Sequence, residues 1–263
     1  MIDVSPYLGC AALVSDASAY TVALLDLLND PDAERDKVSE LISADPALVS
    51  RILTLANSAW IAATAPSTNV WDATRVLGFS MVRNLAAAGL VNLDESNQHL
   101  PDGYLDHAIA AAAGAAAVAD RVGGKVRDAW SVALLHDLGT VLLNSVHGQD
   151  SASNNDTSIE KEIKQFGFDH ATLGAAVLTQ LRLPGAACAA IGEHNEPPHT
   201  QHTPLSLTVR AGIAIAELDG TTGCSAPLGS PAPFLRMLDL QHQQDAIIAD
   251  LEQHASHLTS LLT

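Results

Sequence analysis

Residues 108–119 read AIAAAAGAAAVA, a stretch with no side chain larger than isoleucine. It is shorter than the ~20 apolar residues that a membrane span requires. What remains is a buried helix against which other helices pack closely. The rest of the chain points the same way. Aromatic residues make up only 4% of it and no sustained alternation of apolar and polar positions occurs, so strand signals are almost absent. Apolar residues instead recur at three- and four-residue steps between helix stop signals. Helices are expected near 17–30 and 33–43, then from Asp45-Pro46 through LVSRILTLANS, with Asp45 as N-cap and Pro46 at the first helical position. Others are expected from Ser67-Thr68-Asn69 to Leu77, Ser80 to Val91, Tyr104 to Val122, Val126 to Leu143, 159–166, 169–182, 185–194 and 205–218, with a final amphipathic pair. The fold class is all-α.

Charge and cysteine content narrow the function. Thirteen Lys and Arg against thirty Asp and Glu leave a formal charge of −17, which repels phosphate backbones and anionic lipid. Nucleic acid and membrane surfaces are therefore disfavoured as partners. At 48% hydrophobic and 16% charged residues, intrinsic disorder is excluded. Cys10, Cys188 and Cys224 are odd in number and form no CxxC pair, and MIDVSPYLGC has no basic leader region. A reduced, cytoplasmic setting follows as an expectation, with Cys188 a small buried hydrophobe.

Histidine carries the chemical signal. His107 lies near the start of the Ala-rich helix, and His136-Asp137 sit past the middle of the next, after a short Gly123-Gly124 turn. That turn makes the two helices antiparallel neighbours and brings His107 towards the pair. Consecutive helical residues do not face each other, so His136 and Asp137 share a cation only if another element supplies the second side. His107 is the candidate. His170 begins a later helix and His194 closes the one after it. Imidazole and carboxylate donors suit zinc, iron, manganese or nickel without choosing among them. His147, His199 and His202 fall in polar loops and read as solvated. Asn57-Ser58 read as a helix end, and Arg51, Arg75 and Arg83 as separate surface charges.

These segments resemble a known family. His107, LLHDLG (134–139), HATLGAAVL…LRLP (170–184) and AAIGEHNEPP (189–198) are similar to the successive motifs of the HD superfamily. ISADPALVSRILTLANSAW (42–60) and VLGFSMVRNL (76–85) resemble the opening of the HDOD domain, the HD-related output domain of bacterial signalling proteins. The resemblance implies a helical N-terminal lobe packed on an HD-like five-helix core. It also implies a single unit, with lobes at 1–100 and 101–220 followed by C-terminal helices at 221–263. Carried over by position, the metal ligands fall on His107, His136, Asp137, His170 and His194, with Glu217, or Asp219 beside it, in place of a late-helix aspartate. A second histidine found in two-metal relatives is Asn195 here, and HNEPPHTQH lacks the Gly-Tyr-Pro signature of cyclic-dinucleotide phosphodiesterases. The expected function is a regulatory module that contacts other signalling proteins and holds a divalent transition metal. The alternative is a metal-dependent phosphohydrolase acting on a nucleotide or phosphoester, with His136 and Asp137 as its catalytic residues and Lys125 and Arg127 near the substrate phosphate.

Overall fold

The computed structural model describes residues 2–7, 17–30, 32–43, 46–57, 67–90, 101, 103–148, 159–181, 183–199, 201–218 and 228–251. Asp45, Ser58 and Asp219 lie outside these. Among the described residues all regular structure is helical. The first five helices are α1 (Ala17–Leu28), α2 (Arg35–Ser43), α3 (Pro46–Ala56), α4 (Val70–Leu77) and α5 (Phe79–Leu90). They close around Leu24, Ile42, Ile52, Leu77 and Met81, all buried. The Asn57 side chain does more than end α3. It donates to the Ser67 carbonyl at 2.9 Å and accepts the Ser67 N–H at 2.7 Å, fastening the start of α4 beside the end of α3.

The second group comprises α6 (Tyr104–Arg121), α7 (Val126–Leu134), α8 (Leu138–His147), α9 (Ile159–Phe166), α10 (His170–Gln180), α11 (Gly185–Gly192) and α12 (Pro204–Leu218). The Ala-rich α6 is buried along most of its length between α7 and α12. Gly114 and Gly212 make this possible, because a Cβ on Gly212 would stand 2.1 Å from the Ala115 nitrogen. Small residues let two helix backbones touch, and the contact fixes α12 along α6. A short α13 (Ala232–Met237) and helical residues 244–251 cover the far side of α6 and α12 through Phe234, Leu235, Ile247 and Leu251. Arg121 reaches Asp250 at 2.7 Å across that seam. The two groups of helices meet where α5 packs on α7, with the Ser131 hydroxyl donating to Met81 sulfur at 3.0 Å.

One expected helix is two. Val126–Leu143 reads as continuous, yet the chain turns at 135–137 between α7 and α8. The cause is local. His136 Nδ1 donates to the Ala133 carbonyl at 2.6 Å, occupying an acceptor that the Asp137 N–H of an unbroken helix would use. The backbone answers with shorter-range bonds, Leu135 to Val132 and Leu138 to Leu135.

Beyond the turn, α8 crosses α10 at closest approach through Gly139. A Cβ there would lie 1.9 Å from the His170 carbonyl oxygen. Replacing Gly139 with alanine must push α10 away, so urea denaturation should show a loss of at least ~2 kcal/mol, the upper range for overpacking. Gly185, with nothing within 4 Å of its would-be Cβ, is the control. Its alanine variant should be neutral or gain up to ~1 kcal/mol.

Candidate metal centre

The break between α7 and α8 turns His136 and Asp137 towards one point, and three other elements bring histidines to it. His107 comes from the first turn of α6, His170 from the start of α10, and His194 from just past α11. All five are at most 1% exposed. Asp137 is the hub. Its Oδ2 lies 3.3 Å from His136 Nε2 and 3.9 Å from His107 Nε2, and its Oδ1 lies 3.5 Å from His170 Nε2 and 3.4 Å from His194 Nε2. His107 and His136 meet Nε2 to Nε2 at 3.1 Å. His107, His136 and Asp137 form one compact ligand set, and Asp137, His170 and His194 a second.

The outward nitrogens set the chemistry of the inward ones. His136 and His194 are held in the same way, each Nδ1 donating to the carbonyl three residues earlier, Ala133 at 2.6 Å and Ile191 at 2.7 Å. A carbonyl only accepts, so Nδ1 carries the proton and Nε2 presents its lone pair inward in the neutral ring. His170 Nδ1 faces the Glu162 carboxylate at 2.8 Å, and the same carboxylate accepts the His170 backbone N–H at 2.7 Å. Three lone pairs thus point at an anionic carboxylate. Without a positive charge among them the arrangement is repulsive, and among the described residues His194 Nε2 finds no hydrogen-bond donor.

The titration of the site follows from that crowding. Burial pushes His136 and His170 down, but Asp137 on the first, and Glu162 with Asp137 on the second, outweigh it and leave both raised. Burial dominates at His194 and lowers it. Asp137 is held well below the usual carboxylate range, since the His136 cation overcomes its burial. Protons or a metal ion can supply the missing charge. Two donors each ~2.1 Å from a shared ion stand roughly 3.0–3.4 Å apart; the contacts from His136 to His107 and to Asp137 fall at 3.1 and 3.3 Å, and His107 to Asp137 is wider at 3.9 Å. The donor set fits a divalent transition ion.

Two further residues of the sequence-based reading lie near the centre. Glu217, on α12, is half-buried and its Oε2 accepts the Leu228 N–H at 2.7 Å, outside both ligand sets. Asn195, in the place of a second histidine, donates its amide to His170 Nε2 at 2.8 Å and competes for that lone pair. Glu162 was not anticipated. Its signal is faint: it lies three residues after Ile159 and four before Phe166, on the inward side of α9. His202 reads as solvated in the sequence but is buried, its Nδ1 on Glu193 at 3.0 Å and its Nε2 against Arg210. The fully buried Arg210, packed over the Phe234 ring, draws that histidine inward. Glu196, His199 and His202 also lie close together, but the Arg210 cation and the engaged nitrogens of His202 disfavour an ion there.

An all-helical chain whose buried His-Asp pair is ringed by three further histidines is an HD-related protein. Residues 16–197 match the HDOD domain, and the chain belongs to that family. It is 28% identical over 215 residues to an uncharacterized protein of Treponema pallidum (strain Nichols), covering 74% of this chain but only 40% of that protein's length. The fold is similar to that of a protein named as a candidate phosphohydrolase from Shewanella amazonensis SB2B (TM-score 0.71, 20% identity, 98% of each chain). It is also similar to a protein named as a candidate signal transduction protein from Marinobacter aquaeolei VT8 (TM-score 0.60, 18% identity, 92% of this chain and 59% of the other). No described helix is long and apolar enough to cross a membrane.

Glu217 gives a pH test. Burial raises its carboxyl from 4.5 to about 7. A raised acid favours folding below its unfolded value, and that contribution is lost as pH climbs through about 7. Glu217→Gln, measured with chelator present, should therefore have a flatter stability profile. It should exceed the wild type at pH ~8 by about 1 kcal/mol, once partial solvent screening is allowed for. A wild-type-to-variant difference equal at pH ~5 and ~8 refutes the assignment.

Proposed function

We propose that this protein is a regulatory signalling module, acting through contacts with separate signalling proteins. In this reading His107, His136, Asp137, His170 and His194 hold a divalent transition metal (iron, manganese, nickel or zinc) as a structural or sensory element. The observation that carries it is the combination of convergence and burial. Four imidazoles surround one carboxylate, and each residue is at most 1% exposed. Such a site favours an ion that ties helices together over a substrate that must enter and leave. Family membership and the Marinobacter likeness support a signalling role.

When bound, the ion would supply the positive charge that Asp137 and the inward lone pairs call for. The protein's own groups prepare the site beforehand. Ala133 and Ile191 carbonyls fix two imidazoles in the ligating tautomer, and Glu162 orients a third. Asn195 caps His170 and holds one donor in reserve. The rival reading, a metal-dependent phosphohydrolase with His136 and Asp137 in catalytic roles, draws on the name of the Shewanella protein.

Metal content of untagged protein, followed by melting with added Mn²⁺, Fe²⁺, Ni²⁺ or Zn²⁺, tests the proposal. An ion that binds only the folded state at a hundredfold excess over its Kd contributes about 2.7 kcal/mol. At this size that is a rise of roughly 5–10 °C in Tm. Asp137→Ala should abolish the rise, and Glu162→Gln should weaken metal binding by about 10- to 100-fold. Wild-type melting indifferent to every metal refutes the metal centre. Metal-dependent phosphoester hydrolysis lost in His136→Ala would instead establish the enzyme.

A further inference from the structure

The first group of helices carries an open groove of about 540 Å³ between α2, α3 and the start of α4, well separated in sequence from the metal centre. Its floor is apolar, formed by Val49, Leu53 and Val70, and its rim is acidic, with Asp36 and Glu40 one turn apart on α2. Trp71 stands beside it at 40% exposure, among the largest hydrophobic side chains the described surface leaves open. An exposed tryptophan ordinarily samples several rotamers. This one is held: its indole N–H donates to Asp36 Oδ1 at 3.0 Å, and the Arg35 guanidinium lies 5.3 Å from its ring.

These features together describe a prepared contact surface. A rigid aromatic anchor loses little conformational entropy on binding, which is why Trp is enriched among residues that dominate interface energies. We propose that the groove docks an extended basic segment of a partner protein. A Lys or Arg of that segment would sit between Asp36 and Glu40, and a neighbouring apolar side chain on Val49, Leu53 and Val70. The proposal rests on the reading of this chain as a protein-contacting module and names the chemistry of its partner.

Charge decides between occupants. The chain carries −17, so a cationic segment is steered towards it and a second copy of the same chain is repelled. Two cations of α2 are engaged elsewhere: Arg35 lies over Trp71 and Phe79, and Lys37 pairs with Glu34 at 3.5 Å.

The test titrates the 263-residue chain with the synthetic peptide Ala-Lys-Leu-Lys-Leu-Lys-Ala, following tryptophan fluorescence and peptide anisotropy at low and physiological salt. Saturable binding should fall about tenfold or more in Trp71→Ala and in the double variant Asp36→Asn/Glu40→Gln. It should be unchanged in Asp120→Asn/Glu160→Gln, which removes the same charge from exposed sites elsewhere. A peptide with Glu for Lys should not bind. Equal weakening by both double variants means diffuse attraction to an acidic surface and overturns the proposal, as does undiminished binding to Trp71→Ala. A concentration-dependent dimer in sedimentation that Trp71→Ala abolishes assigns the groove to a second copy and likewise overturns it. The metal-dependent rise in Tm, measured on the same variants, should persist, so failure of the groove and failure of the metal centre are read separately.

Discussion

A carboxylate with no exposure to water, facing four imidazoles, is the interaction on which the second group of helices depends. Burying a charge is costly unless it is paired, and Asp137 is approached from four directions by imidazoles of different elements, which pair with it only through protons or a shared ion. Three of the histidines are then oriented from behind, His136 and His194 by the carbonyl three residues earlier and His170 by the Glu162 carboxylate on α9. The ends of α7 and α11, the turn at 135–137 and the start of α10 are all shaped by this requirement.

The hub also explains the small residues. Donors on α6, in the 135–137 turn, on α10 and just past α11 meet at Asp137 only if the helix axes come closer than ordinary side chains permit. The Gly114–Gly212 and Gly139–His170 contacts provide that closeness at backbone level. The alanines of α6 do the same with less extreme spacing. A core of larger residues would hold these helices apart and leave the histidines too far from the carboxylate to matter.

Much of this was legible in the sequence. The all-α class followed from apolar spacing and missing strand signals, and the ligand candidates followed from histidines at helix ends and from the HDOD resemblance. The break at 135–137 was not legible, because VALLHDLG contains no residue that interrupts a helix before Gly139. It is imposed by a side chain taking a backbone acceptor, which only the tertiary site rewards. Glu162 was hidden for a related reason. One glutamate among three charged neighbours looks solvated until the partner that buries it is known. His202 misled in the same direction, drawn inward by an arginine eight residues away.

The turn at 135–137 has a consequence for the order in which the molecule is built. The residues around Asp137 span positions 107 to 194 and arrive from α6, the turn, α10 and the end of α11. Closing such long loops is slow relative to forming any one helix. A partly folded chain that lacks α10 and α11 presents at most His107 and His136 beside the aspartate, half of the imidazoles. Four imidazoles surround the carboxylate only when the last helices have docked. The complete cluster is therefore a property of the finished fold that its assembling forms do not share.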